Sequence, residues 1–346
     1  MDNAQNQLSE LVEKIKSAQI PDDLRTQVNI RLDQLAKLTQ SQAFLPEYDR
    51  LSRYIDWIAN LPWFKLTQDN LDLDHARKVL ESHHFGLVDI KERILEYISV
   101  LKLKGQEKEQ IGRAPILCFV GLVGTGKTTI AYSIAEALGR QIARIPFGGM
   151  GDPLDLRGQS RMHPEAEPGK IIKALRVVQS KNPVILLDEI DRVTEQGRSS
   201  IMGVLVELLD PTQNKAFVDH YIDYPFDLSQ ALFIATANNT INIATAVMDR
   251  IEPLALPSYT DEEKITIAKT YTLPRVLKEA GIKPDAIVID DDVWKAVVRP
   301  FGFDAGIRTL ERTIEGLVRK VAKMVVEGQG AQFHITKDNV KQFLPQ

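Results

Sequence analysis

The residues best suited to chemistry are Gly121-Leu122-Val123-Gly124-Thr125-Gly126-Lys127-Thr128, with Thr129 directly after. Glycines at the first, fourth and sixth places let the main chain turn tightly and aim its N–H groups at one point. A helix that opens at Lys127 adds the positive end of its dipole there. Lys127 brings a point charge for the outer phosphates of a nucleotide, and Thr128 brings a hydroxyl suited to Mg²⁺. Gly121 to Thr129 are therefore predicted to cradle phosphate. A second constellation is Val184-Ile185-Leu186-Leu187-Asp188-Glu189. Four apolar residues make a buried strand, and two carboxylates stand at its exit. Asp188 is suited to hold Mg²⁺, directly or through water, and Glu189 to orient or deprotonate a water.

These residues need a frame. Ile116–Val120 is a short apolar run just before the glycine-rich loop, and 127–138 has helical periodicity. Further apolar runs lie at 142–145, 184–187, 232–235 and 254–256, with helical stretches between several of them. That alternation predicts an α/β fold, with a parallel sheet covered on both faces. Ligands then belong at the carboxyl ends of the strands, where the loop and the acidic pair both fall. Before this region the pattern is helical: Leu8, Leu11, Val12 and Ile15, then Leu24, Val28, Leu35 and Leu38, with a break expected at 41–46. The polar stretch 102–113 reads as a loop. After Pro257, helices are predicted at 262–279, 293–298 and 307–326, with short strands at 287–289 and 332–335.

Composition narrows the class. The 346 residues include 43 Lys and Arg against 47 Asp and Glu, a net charge of −4, which argues against a chain built to coat nucleic acid. No apolar run is long enough to cross a membrane, and the N-terminus lacks a signal-peptide pattern. The single cysteine, Cys118, has no partner within the chain, which fits a reducing, cytoplasmic setting. It lies inside an apolar run and reads as an inert core thiol, and Trp57, Trp63 and Trp294 read as packing residues.

More motifs follow in a telling order: Thr236-Ala237-Asn238, Met248-Asp249-Arg250-Ile251-Glu252 and Gly306-Ile307-Arg308. With the phosphate loop and the acidic pair, they resemble an AAA+ ATPase. His84-Phe85-Gly86-Leu87, the stretch from Lys91 to Tyr97, Pro168-Gly169-Lys170 and Leu209-Asp210-Pro211 resemble more closely the ATPase module of the Lon protease family. The resemblance implies an AAA+ P-loop fold in three parts: an N-terminal helical arm (1–72), an α/β nucleotide-binding domain (73–257) and a mostly helical lid (258–346). It implies ATP and Mg²⁺ as ligands. It makes Asn238 the sensor that helps place the attacking water, Arg250 a finger reaching a neighbour's nucleotide, and Arg308 a second sensor. His84, Phe85, Gly86 and Leu87 would border the adenine. It further implies a ring of copies, a hexamer, acting on polypeptide substrates. Read by itself, Arg250 would be a surface residue paired with Asp249 or Glu252; only the resemblance makes it a finger.

Two departures stand out. Where the family carries an aromatic and aliphatic pair on a pore loop, this chain has His163 and Pro164, with Met162 before them and Glu165 and Glu167 after. The result is a stiffer and more hydrophilic loop, which brings processive threading into question. No Ser–Lys peptidase segment occurs in the sequence, so peptide cleavage is not expected of these residues, and a separate protease domain or subunit is a further expected partner. Three readings remain open on the residues: an ATP-driven remodeller of proteins, a nucleotide-gated scaffold with slow turnover, and a DNA-associated ATPase, although the dispersed lysines and arginines do not indicate a nucleic-acid surface.

Overall fold

The structure, a computed structural model, describes residues 2–106, 116–299, 304 and 306–344. Most of the stretch predicted as a loop at 102–113 lies outside them; its first residues, to Gln106, extend a helix. At its centre is a sheet of β1 (Ile116–Val120), β2 (Ile142–Pro146), β3 (Val184–Asp188), β4 (Leu232–Ala237) and β5 (Ile251–Ala255). The order is β2-β3-β4-β1-β5, and every pairing is parallel. An α/β architecture follows, as the alternation of apolar runs predicts. The fifth run forms a strand shifted three residues earlier at its start than its apolar residues suggest, because Ile251 pairs with Ile116 at the opening of β1.

Successive strand residues point to opposite faces, and this sorts the core into two clusters. Cys118, Ile185, Leu187, Phe233 and Ala235 belong to one; Leu117, Phe119, Val184, Leu186 and Ile234 belong to the other. The second face is covered by α4 (Leu73–His83), α5 (Val88–Gln106) and α6 (Lys127–Leu138). Burial pushes the Cys118 thiol up to about 12, so it stays neutral.

The first face carries the N-terminal helices as well as its own. α1 (Asp2–Ser17), α2 (Asp22–Ala36) and α3 (Phe44–Ala59) send Ile15, Leu24, Val28, Tyr54, Ile55 and Ile58 into the same apolar cluster as β3 and β4. Trp63 continues that contact, with its ring 4.9 Å from Phe226. The break before α3 ends at Ala43, and Pro46 lies inside the first turn, where its missing N–H leaves no hydrogen bond unmade. Residues 64–71 then follow the sheet: Lys181 N–H donates to Lys65 O, and Arg140, 4% exposed, grips Asp69 at 2.6 and 2.7 Å.

After β5 a third cluster forms from the C-terminal helices, among them α7 (Arg308–Val326), and the parallel pair Ile287–Ile289 with Phe333–Ile335. The predicted helix 262–279 runs from Asp261 to Glu279 but passes through a π-turn at Ala268–Thr272. Pro274 supplies the reason, since a residue without an N–H cannot continue regular pairing.

Two buried polar groups hold loops in place. Asp219, fully buried, accepts from the N–H groups of Gly169, Tyr221 and Ile222 at 2.7, 2.8 and 3.1 Å. Gly169 has no room for a side chain, because a Cβ there would lie 2.0 Å from Leu156 O. His84, 6% exposed, ends α4 and meets Ser133 Oγ of α6 at 2.9 Å, while its carbonyl accepts from Lys91 Nζ at 2.7 Å. Burial, together with His83 and Lys91, lowers its pKa to about 4.

Two outcomes are expected. Asp219→Ala leaves three buried donors unpaired and should cost about 3 kcal/mol in urea unfolding. For His84 the unfolded chain binds the proton more tightly than the folded one. The neutral ring's contribution is thus whole above about pH 6.5 and is lost as pH falls toward 4. Unfolding free energies measured across that window should decline by up to about 3 kcal/mol, and His84→Gln should flatten the slope.

Candidate functional site

The glycine-rich loop leaves β1 at its carboxyl end and closes into α6. Gly124 and Gly126 have φ of +83° and +96°, values that disfavour any residue with a Cβ, so the loop turns where glycines stand. Gly121 sits against Leu256, where a Cβ would come 2.9 Å from the carbonyl. Leu122 and Val123 are exposed at the tip, Thr125 is buried and accepts from Tyr259 Oη through its carbonyl at 3.3 Å, and Thr129 Oγ1 donates back to Gly126 O at 2.8 Å.

Lys127 is folded onto its own loop. Its ammonium donates to Gly121 O at 2.6 Å, Leu122 O at 2.9 Å and Asn238 Oδ1 at 3.2 Å. Burial lowers its pKa, against the pull of Asp191, Glu189 and Asp188. The acceptors are neutral, and a phosphate oxygen would bind the same ammonium more strongly. Thr128 Oγ1 lies 3.5 Å from Asp188 Oδ1, which brings the two residues expected at Mg²⁺ to one spot.

Asp188, 3% exposed, closes β3. Its Oδ1 accepts from Thr236 Oγ1 on β4 at 2.5 Å, and its Oδ2 faces Arg144 of β2. Glu189 follows in a left-handed conformation (φ +57°) that few side chains adopt, and its N–H donates to Thr236 Oγ1 at 2.8 Å. Thr236 therefore fixes both acids. Such strained φ values gather where a side chain must be aimed, and here the turn sends Glu189 Oε2 toward Gly148.

Asn238 stands just beyond β4. Asp191, 6% exposed, holds its backbone N–H at 3.1 Å and that of Asn239 at 3.4 Å. Asn238 Nδ2 is buried and has no hydrogen-bond partner among the described residues. A buried orphan donor beside a lysine is what a site built for an anion or a bound water presents. Asp191, Thr236 and Arg144 were not among the expected site residues. Thr236 was visible as part of a motif; the other two gave no sequence signal, because their partners are distant in the chain.

The lid reaches the loop through main chain. Ile307 N–H donates to Gly124 O at 3.0 Å, and a Cβ on Gly306 would come 2.4 Å from Val123 O. Arg308, the first residue of α7, begins against Gly124, where a Cβ on that glycine would meet its Cβ at 3.2 Å. Arg250 is held elsewhere: its Nη1 donates to Ala246 O at 2.7 Å and its Nη2 pairs with Asp210 at 3.2 Å, not with Asp249 or Glu252. It makes no hydrogen bond to the phosphate loop. Of the adenine-bordering candidates, His84 is turned inward, Phe85 is half-buried, and Gly86 (φ +62°) and Leu87 (φ +51°) make the turn into α5. His84 also meets the Thr129 main chain, so this segment adjoins the start of α6.

The altered loop is well anchored. Arg161 stacks over the Tyr54 ring of α3 at 4.0 Å and pairs with Asp223 at 3.3 Å. His163 N–H donates to Ser160 O, Ala166 N–H to His163 O, and Met162 stands 86% exposed. Between this loop and helices α2 and α3 lies a groove of 1320 Å³. Among the described residues, no cluster of three or more His, Cys, Asp or Glu could hold a metal ion, and no helix is long and apolar enough to cross a membrane.

Comparison with known proteins agrees with this geometry. Residues 117–257 match the model of the ATPase family associated with various cellular activities (AAA), and residues 278–333 match the Lon protease AAA+ ATPase lid domain. Relatives cover nearly the whole chain. Lon protease 2 of Thermus thermophilus is 41% identical across 99% of it, Lon protease of Lawsonia intracellularis 43% across 99%, and Lon protease homolog, mitochondrial 1 of Dictyostelium discoideum 42% across 98%. The chain spans 43%, 40% and 34% of those three relatives. The chain belongs to the Lon protease family and carries its AAA+ ATPase part.

Proposed function

We propose that this chain binds ATP with Mg²⁺ and hydrolyses it to ADP and phosphate, and that the cycle drives remodelling, unfolding or translocation of polypeptides. The observation that carries the reading is the meeting of Lys127, Thr128, Asp188, Glu189 and Asn238 around the glycine-rich loop, with neutral carbonyls on Lys127 and a buried, unpartnered donor on Asn238. These groups fit a nucleoside triphosphate. Gly121 to Thr129 wrap the phosphates, and Lys127 turns from loop carbonyls to phosphate oxygens. Thr128 and Asp188 hold the metal. Mg²⁺, when bound, offsets the charge that develops on the phosphates. Glu189, aimed by its left-handed turn and by Thr236, orients a water and takes its proton. Asn238 Nδ2 places that water. Arg308 reports the nucleotide to the lid, and His84, Phe85, Gly86 and Leu87 border the base.

Arg250 acts on the nucleotide of a neighbouring copy, so the working form is a ring, a hexamer in this reading. The division into arm (1–72), nucleotide domain (73–257) and lid (258–346) belongs to the same proposal, and the lid's separate apolar cluster supports it. Peptide cleavage is not assigned to these residues; a protease domain or subunit beside them would supply it. The cytoplasm is the proposed setting. A nucleotide-gated scaffold is the second reading, favoured by the loop around His163 and Pro164 being pinned to α3 through Arg161. Unfolded protein should speed phosphate release by a remodeller and leave a scaffold's slow turnover unchanged.

Glu189→Gln should keep ATP binding and lower kcat by about 10²- to 10⁴-fold, while Lys127→Ala should lose nucleotide affinity. Phosphate release and fluorescent-nucleotide titration separate the two, and full turnover in both variants sinks the assignment. Arg250→Ala should lower turnover by about 10³-fold or more. Mixing it with Glu189→Gln protein should restore part of the rate, since a mixed ring contains sites with both groups intact. A mixture no more active than its components would remove the finger from the neighbour's site.

A further inference from the structure

The carboxylate at the end of β3 already has a cation. Arg144 Nε and Nη2 each lie 2.6 Å from Asp188 Oδ2, while Oδ1 is engaged by Thr236 and faces Thr128. The two partners differ sharply in exposure: the Asp188 side chain is 4% exposed and that of Arg144 is 50% exposed. A buried carboxylate without a counter-charge is strongly disfavoured. Lys127 feels the charge of Asp188 but does not pair with it, because its three hydrogen bonds go to Gly121, Leu122 and Asn238. Among the described residues no other cation pairs with Asp188. Arg144 comes from the edge strand β2, and half of its side chain is already in solvent, so it can withdraw with little rearrangement.

We propose that Arg144 is a displaceable counter-ion for Asp188. It holds the carboxylate turned toward Thr128 when no divalent cation is bound, and it gives up Asp188 when one binds. This rests on the reading that Thr128 and Asp188 hold a divalent cation with the nucleotide. A guanidinium and a divalent cation repel one another and compete for one carboxylate, so Arg144 weakens metal binding. It thereby sets the metal concentration at which the site loads. Arg144 is a positioning residue, acting through its contact with Asp188.

Mn²⁺ titration of the full chain with saturating ADP, followed by the electron paramagnetic resonance signal of free Mn²⁺, tests the proposal directly. Arg144→Gln should bind Mn²⁺ roughly tenfold more tightly than the unaltered chain, the scale of a single close charge pair. Arg144→Lys, which keeps the charge but not the fork, should fall between them. Without metal, Arg144→Gln should also melt at a lower temperature, and Mn²⁺ with ADP should restore the melting point. Unchanged or weaker Mn²⁺ affinity in both variants, with normal binding by the unaltered chain, overturns the proposal and makes Arg144 a fixed support. A melting deficit that persists with Mn²⁺ and ADP does the same. Failure of the unaltered chain to take up Mn²⁺ with ADP overturns the metal reading of Thr128 and Asp188, and this inference with it.

Discussion

A carboxylate buried at the end of a strand constrains everything around it. Asp188 is buried at the carboxyl edge of the sheet, where a polar group costs free energy unless its oxygens are engaged. The engagement comes from three separate elements: Arg144 from β2, Thr236 from β4 and Thr128 from the start of α6. Each of these must be at the right height along the sheet. The parallel register, with Pro146 opposite Asp188 and Leu187 opposite Ala235, sets that height. The strand order thus does more than close a core. It brings a glycine-rich loop, an acidic pair and an asparagine to one edge, although Lys127 and Asn238 are 111 residues apart in the chain.

The same site is coupled to its surroundings mainly by main chain. Gly306 lies so close to the loop that a Cβ there would collide with the Val123 carbonyl, and Ile307 bonds the loop directly. A shift of the phosphate loop is therefore felt at the first residue of α7, whatever Arg308 does with its charge. On the opposite flank, the segment after β2 runs to the loop at 159–165, which Arg161 fastens to Tyr54 of the N-terminal helices. The arm, the loop and one sheet face share a single apolar cluster. Packed interiors transmit displacements because they have few voids to absorb them. These contacts tie the loop at 159–165 to the N-terminal helices and to one face of the sheet.

Arg250 shows how a residue's surroundings reshape its meaning. On charge and spacing alone, its neighbours Asp249 and Glu252 were the natural partners. Glu252 instead pairs with Arg93, and Arg250 is tied to Asp210 and Ala246 O. Asp210 also caps the turn at Thr212, so the guanidinium is held against a rigid corner. A side chain fixed in this way has lost most of its rotamer freedom before any partner arrives, which favours a role that depends on position.

Local chemistry was legible in the order of the residues. Glycine spacing dictated the turns at Gly124 and Gly126, the apolar runs dictated five parallel strands, and helical periodicity dictated most helices, because each of these depends on neighbours within a few residues. That order also supplied the phosphate loop, the acidic pair, Asn238 and the resemblance that places the chain in its family. What it left undecided were contacts between residues far apart in the chain. Arg144 on Asp188, Asp191 under Asn238, Asp210 on Arg250 and the docking of the arm have no periodic signature. The left-handed turn at Glu189 was hidden for a related reason, since no residue type announces it and only the bond from Thr236 holds it. Tertiary structure decided these because burial makes each charge and each N–H find a partner, and only the folded sheet determines which partner lies within reach.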